Sequence, residues 1–242
     1  MRQLASASCL MLFLSHCTPS GPATAPNMQA RPANQLSLAS NACGPTALLN
    51  ALRFGSAPYQ KSAAAIKGNS DREHIRHLIL THGRASSSHI PGQARWTRRG
   101  VNAADLTDIA RDCCRGTADA PTLFIPNSSL HTNLAGIHKK IANSLHRGFP
   151  PVASLRRYDG IRTIDSHFIT IIAISAEPDE NATSMPITYI DPLGGKKLSG
   201  SLVLTPTPQG LRLEANLPQT PVGRSRASVL SYLKLDAFIL CQ

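Results

Sequence analysis

Aromatic residues are scarce. One Trp, four Tyr and six Phe make up 5% of the 242 residues, too few for a binder that stacks sugar rings or bases along its surface. Acidic residues are also few: 14 Asp and Glu stand against 25 Lys and Arg, a formal net charge of +11. Such an excess suits a nucleic acid, an anionic lipid or a cell-wall polymer as neighbour. Yet the basic residues are scattered as singles and pairs, such as Arg98-Arg99, Arg156-Arg157 and Lys196-Lys197, and no basic run interleaves with aromatics. The pattern therefore gives no nucleic-acid footprint. Cysteine is limited to six positions, with no CxxC and no Cys/His pair at zinc-site spacing. Neither a metal framework nor any other cofactor is expected. No internal repeat is visible.

One apolar run stands out, and it is short. Residues 1–17 read MRQLASASCLMLFLSHC. An early Arg followed by a stretch centred on Leu10–Leu14 is too short to span a bilayer, for which roughly 20 apolar residues are needed, and fits a signal peptide. Leu14-Ser15-His16-Cys17 resembles a lipobox with His16 where a small residue is usual. Two readings stand: lipidation at Cys17, or plain secretion with cleavage before Arg31. Either implies an exported protein, periplasmic, lipid-anchored to a membrane or secreted. Residues 18–34, rich in Pro, Ala, Ser and Thr, read as a flexible linker. One domain then covers residues 35–242, and a monomer is expected.

Inside that domain the hydrophobic period changes once. The apolar run 47–52 reads as a buried helix opening near Cys43 and ending near Gly55. Residues 59–67 are Ala-rich and helical in character. Ser70-Asp71-Arg72-Glu73 is a capping box ahead of Ile75, Leu78 and Ile79. Asn102 caps a further helix, and Leu134, Ile137, Ile141 and Leu145 mark another within 130–145. Residues 84–100 form a basic, Ser/Gly-rich loop around Trp96, which either lines the cleft or, the reading preferred, lies on the surface. Residues 122–125 suggest a short strand. After Gly148 come apolar, often β-branched segments at 152–155, 168–174, 187–190, 198–204, 211–213 and 229–240, separated by Gly, Pro, Asn or Asp. Helices followed by strands indicate an α+β class, not an alternating α/β one.

Chemistry concentrates at three points. Asn41-Ala42-Cys43-Gly44-Pro45-Thr46 sets a cysteine at the opening of a helix. The unpaired N–H groups and partial positive charge of a first turn favour an anionic sulfur there. Pro45 fits because its missing N–H costs nothing in a first turn. His167 stands at the mouth of the Ile-rich segment 168–174, where a strand can hold its ring. Asp191, in Tyr189-Ile190-Asp191-Pro192, ends the following strand, which could bring its carboxylate beside His167. Cys43 would then be a nucleophile, His167 its base and Asp191 the group that fixes the imidazole tautomer. Asp165, two residues before His167, is a weaker rival to Asp191. His74 and His77, one helical turn apart, read as a solvated helix face.

The Cys-Gly-Pro-Thr helix, the Gly148–Leu155 segment GFPPVASL, the His167 strand and the Asp191-Pro192-Leu193-Gly194 turn resemble, in the same order, the peptidase C39-like group of papain-like cysteine proteases. The resemblance covers most of residues 35–195. His167 lies 124 residues after Cys43 (167 − 43), close to the roughly 130–150 residues usual in papain relatives. The residues around Cys43 differ from the papain signature and match the C39-like branch better. The resemblance implies a papain-like fold, with an N-terminal helical part packed on a C-terminal mostly antiparallel sheet. It implies a thiol hydrolase cleaving peptide or amide bonds of a peptide or protein substrate, with the Cys43, His167 and Asp191 roles just described. It also implies Gln35 as the side-chain donor of an oxyanion hole, with Asn34, Ser40 and Asn41 as substitutes. Two further functions use the same residues or fold: acyl transfer to an amine, as in transglutaminase-like relatives, and a non-catalytic surface binding module.

Overall fold

The computed structural model of the protein describes residues 21–37, 41–126, 133–224 and 231–242. The proposed signal segment 1–17, Ser40 and the ends of two expected elements, at 130–132 and 229–230, lie outside the described residues. The chain begins with a short strand β1 (Ala23–Thr24) and a 3-10 turn (Gln35–Ser37). Helices α1 (Cys43–Phe54), α2 (Ala57–Ala65) and α3 (Asp71–Leu78) follow, the last running into a π-helical turn (Ile79–Gly83). A hairpin of β2 (Trp96–Thr97) and β3 (Gly100–Val101) precedes α4 (Ala103–Cys114), β4 (Thr122–Phe124) and α5 (Leu134–His146). Six longer strands complete the fold: β5 (Val152–Asp159), β6 (Arg162–Ile174), β7 (Ser184–Asp191), β8 (Lys196–Thr207), β9 (Gly210–Asn216) and β10 (Ser231–Leu240), with a helical turn α6 (Pro221–Arg224) between the last two.

The helices lie close to where local signals put them, whereas β1, β2 and β3 were not expected and β6 begins six residues before the expected 168. Ser70 caps α3 by accepting from the Glu73 N–H, Asn102 caps α4 through Asp105, and Asn133 caps α5 through Gly136. Each is a short polar side chain satisfying an amide that the first helical turn leaves unpaired.

The papain-like arrangement of a helical part packed on a sheet does not form. The six long strands close into an antiparallel barrel in the order β6-β5-β10-β9-β8-β7, with β7 pairing back onto β6. β6 makes closure possible. It pairs with β5 along Arg162–Thr170 and with β7 along Thr170–Ile174, so Thr170 faces Val152 on one edge and Ile190 on the other. Register shifts at Arg157/Tyr158, Ile171/Ala173 and Leu235/Ala237 mark where the strands bend, as curved sheets require. Open sheets and barrels share the same two-residue alternation. Only the pairing of sequence-distant edges separates them, and no local period encodes that. The outer strands β1 and β4 add to β6 and β10.

Alternation divides the core in two. Ala153, Leu155, Ile169, Ile171, Phe238 and their barrel neighbours pack in one cluster with the apolar face of α5. Val152, Phe168 and Ile239, one residue out of phase, join α1 and α4 in a second cluster. The α1 side of the molecule is therefore fastened to the wall formed by β5, β6 and β10.

Residues 21–34, read above as a flexible linker, are built into the fold. Ala23 and Thr24 pair with β6, the Ala25 N–H donates to the Ile172 carbonyl (2.7 Å), and the Asn27 N–H donates to the Phe54 carbonyl (3.0 Å). The buried contacts here are Ala23, Ala25 and Ala33, so small that the segment shows no hydrophobic period. Among the described residues, no helix is long and apolar enough to cross a membrane. Cys43, Cys113, Cys114 and Cys241 are all free thiols.

Candidate active site

Cys43 is the first residue of α1 and is partly exposed. Ala42, at the cap position, brings no side-chain cap, and the first turn carries no acidic residue. Its amides are thus left for whatever anion sits at the helix mouth. The Ala42 carbonyl is occupied instead, accepting from the Thr46 N–H (3.0 Å) and the Thr46 hydroxyl (2.8 Å). Gly44 is required by crowding. A Cβ at that position would come within 2.4 Å of Val101 Cγ1 and 3.3 Å of Leu106 Cδ2. The absent side chain lets β3 and α4 close against the start of α1.

His167 is brought to this helix mouth by two fixings. Its strand pairs with β5 through Leu155↔His167. Three residues on, the buried Thr170 hydroxyl donates to the Ala47 carbonyl of α1 at 2.8 Å. That bond ties the strand carrying the imidazole to the helix carrying the sulfur, one turn inside its N-terminus.

Asp191 closes β7 beside His167. The His167 Nε2–H donates to Asp191 Oδ1 at 2.8 Å, and the same oxygen accepts from the Leu193 N–H at 2.8 Å. His167 is 8% exposed and Asp191 1%. With Nε2 committed to the carboxylate, Nδ1 is the ring nitrogen left for the sulfur. Burial by itself would lower the imidazole pKa. The hydrogen bonds to Asp191 and to Cys43, with the negative charge of both, outweigh it and push the value up to about 10. A buried cation is tolerated here because two anionic groups flank it. Asp165, the weaker rival, is exposed, and among the described residues it accepts only from the adjacent Ser166 N–H at 2.8 Å.

Gln35 lies on the 3-10 turn that crosses the Asp191 turn. Its N–H donates to the Pro192 carbonyl at 2.9 Å, and the residue is 3% exposed. Asn34, just before it, accepts from the Gly194 N–H at 3.1 Å. The structure thus brings Cys43, His167 and Asp191 together and sets Gln35 against the turn that carries Asp191.

The 84–100 segment, for which the sequence leaves both a cleft wall and a surface loop open, packs against the residues just before Cys43. Trp96 Nε1 donates to the Asn41 carbonyl at 3.2 Å, and the Asn41 side-chain amide donates to the Arg98 carbonyl. Between this segment and the barrel lies a cleft of about 380 Å³, lined among others by Arg99, Val101, Ser154, Ser166 and Phe168. A larger cavity of about 730 Å³ lies beyond Asn34, around Arg53, Asp71 and His74. Neither Cys43 nor His167 lines either cavity, so cavity volume does not mark the reactive centre here.

Two positioning residues escaped the sequence reading. Thr170 is a hydroxyl within an Ile-rich strand. Asn50 is an amide within the apolar run of α1. Each is polar at a position whose neighbours are all buried, and that mismatch was their only signal in the sequence.

The chain matches no family model, and no curated protein matches it.

Proposed function

We propose that the protein is a thiol hydrolase that cleaves a peptide or amide bond with Cys43 as nucleophile, His167 as acid and base, and Asp191 holding the ring. The single observation that carries this is the chain of contacts at His167. One nitrogen donates to a buried carboxylate whose only other partner among the described residues is a backbone amide, and the Cys43 side chain lies close enough to the ring to help raise its pKa. A structural histidine needs only one such partner. The order and spacing of the motifs, resembling those of C39-like cysteine peptidases, support the same chemistry, although the barrel is not the papain-like arrangement that likeness implied.

In the proposed cycle the thiolate of Cys43 attacks the substrate carbonyl, forming a carbon–sulfur bond and an oxyanion. The Cys43 N–H at the helix mouth donates to that oxyanion, and Gln35 is assigned as the side-chain donor, a type of contact worth about 3 kcal/mol. The imidazolium of His167 gives its Nδ1 proton to the leaving amine as the C–N bond breaks. The now neutral ring takes a proton from water, which attacks the thioester. Collapse releases the acid and restores the thiolate and the imidazolium. No cofactor enters. The expected substrate is a peptide or protein. The leader at residues 1–17 supports export, with a lipid anchor at Cys17 or free secretion.

The test is the alkylation rate of Cys43. At neutral pH, Cys43 in the native chain should react with iodoacetamide well above the rate of free cysteine, and Cys43→Ala should abolish the label. A native rate no higher than that of free cysteine would overturn the assignment.

A further inference from the structure

Among the described residues, one group of three potential metal ligands has its ligand atoms within 4.8 Å of one another: His89, Asp105 and Asp108. Asp105 and Asp108 stand three residues apart on α4 and so share one face of it. His89 comes from the segment that walls the cleft. His89 Nε2 and Asp108 Oδ2 are already 3.1 Å apart, a separation near that of two atoms bound to one small divalent ion.

A second observation is independent of this clustering. Asp105 is only 1% exposed, yet its carboxylate is half satisfied. Oδ2 accepts from the Ser87 hydroxyl (2.9 Å) and from Asn102 Nδ2 (2.5 Å). Oδ1 is buried with no hydrogen-bond partner among the described residues. A buried carboxylate oxygen left unpaired is costly, and a cation is the partner that would relieve it. Asp108 is the second acid. Its Oδ2 accepts from the Ser88 hydroxyl (3.0 Å), and Arg111 Nη1 lies 3.3 Å from Oδ1.

We propose that His89, Asp105 and Asp108 bind a divalent transition-metal ion of the zinc class, which fastens the 84–100 segment to α4. One imidazole nitrogen and two carboxylate oxygens are a donor set that suits such ions, and water completes the coordination. Two carboxylates balance the dication. His89 gives up its hydrogen bond to Asp108 and ligates as the neutral ring. Two cations oppose the site: Arg111, half exposed and free to swing away, and Arg95, paired with Asp112 at 2.6 Å. Zinc would thereby stiffen the segment whose Trp96 and Arg98 hold Asn41, two residues before Cys43. This inference does not depend on the hydrolase assignment.

The experiment uses the full chain carrying Cys43→Ala, so that the exposed thiol cannot compete for metal, and no affinity tag. Dialysis against micromolar Zn2+ followed by metal analysis should leave one zinc per chain. Adding His89→Ala should weaken zinc binding at least about tenfold. His89 is exposed, so this change leaves the core intact. Asp105→Asn should act likewise, and zinc should slow hydrogen exchange across residues 84–95 only where His89 is present. If the Cys43→Ala chain retains no zinc, or the His89→Ala chain retains as much, the site is overturned.

Discussion

Asn50 grips Ala33 by both of its backbone groups. The Ala33 N–H donates to Asn50 Oδ1 at 2.6 Å, and Asn50 Nδ2 donates to the Ala33 carbonyl at 3.4 Å, with both residues fully buried. Ala33 is two residues before Gln35, whose N–H reaches the Pro192 carbonyl. A side chain on the cysteine's own helix therefore sets where the strap over the Asp191 turn runs. Asn50→Ala should cost about 1–3 kcal/mol, because it leaves two buried backbone groups unpaired. Urea denaturation reads that loss. If Gln35 supplies an oxyanion donor, peptide hydrolysis should fall further than Cys43 alkylation, since alkylation forms no oxyanion. An unchanged urea midpoint would show that the strap does not need Asn50.

Asp191→Asn keeps the size of the side chain and removes its charge. The amide can still accept from His167 Nε2, or it can flip and force the ring to the other tautomer. In serine hydrolases the equivalent loss costs about 10⁴ in kcat. A preformed thiolate needs less help from a base, so a fall of about 10²–10⁴ is expected here. Because Asp191 is one of the groups that raise the His167 pKa, the alkaline limb of the activity profile should also move to lower pH. A variant with an unmoved limb would mean that Asp191 does not control the ring.

The same shift makes a statement about stability. His167 has a folded pKa raised to about 10, against about 6.5 when unfolded. Its contribution is fully present below pH 6.5 and is lost as pH rises toward 10. Cys113, Cys114, Cys241 and Tyr59, whose pKa values burial raises, also weaken the fold in alkali, but only from about pH 8.5 upward. The window from 6.5 to 8 is therefore diagnostic. In it Cys43→Ala, which takes the thiol out of the proton balance, should lose stability with rising pH because Asp191 holds the ring protonated, and adding Asp191→Asn should lessen that loss. Equal slopes for the two variants would mean that Asp191 does not hold the ring's proton.

Much of this was written locally in the chain. Cys43 opens α1 and Asp191 closes β7, and such edges follow from caps, prolines and changes of period; His167, expected at the mouth of a strand, lies inside β6 where its exposed half gives way to its buried half. What joins them is not local. The Thr170 bond to Ala47 spans 123 residues, and nothing around Thr170 announces its partner. Barrel closure fails for the same reason, since β6 and β7 meet through a register that alternation does not specify. The strap at 21–34 was misread because alanines, not large side chains, fill its contacts. The loop at 84–100 could not be placed between cleft and surface because its hold on Asn41 runs through one indole N–H and backbone carbonyls, which leave no compositional trace.

Gly44 gives the sharpest test of how the site is packed. The space beside its Cα is taken by Val101, whose Cγ1 would stand 2.4 Å from a new Cβ. That is far inside contact distance, and a valine has no flexible end to swing aside. Gly44→Ala should therefore push β3 off α1, costing about 1–3 kcal/mol by overpacking despite alanine's better helix propensity. The shift would also disturb Asn41, which β2 and the residues between the two strands hold, so Cys43 alkylation should slow as well. Val101→Ala alone removes two methyl groups from a partly buried position and should cost about 1 kcal/mol. Combined, the two changes should be less destabilising than the sum of the single ones, because the smaller residue makes room for the new methyl. Simple additivity of the two in urea denaturation would mean that Gly44 is not kept small by Val101, and that the wall of the cleft is seated by other contacts.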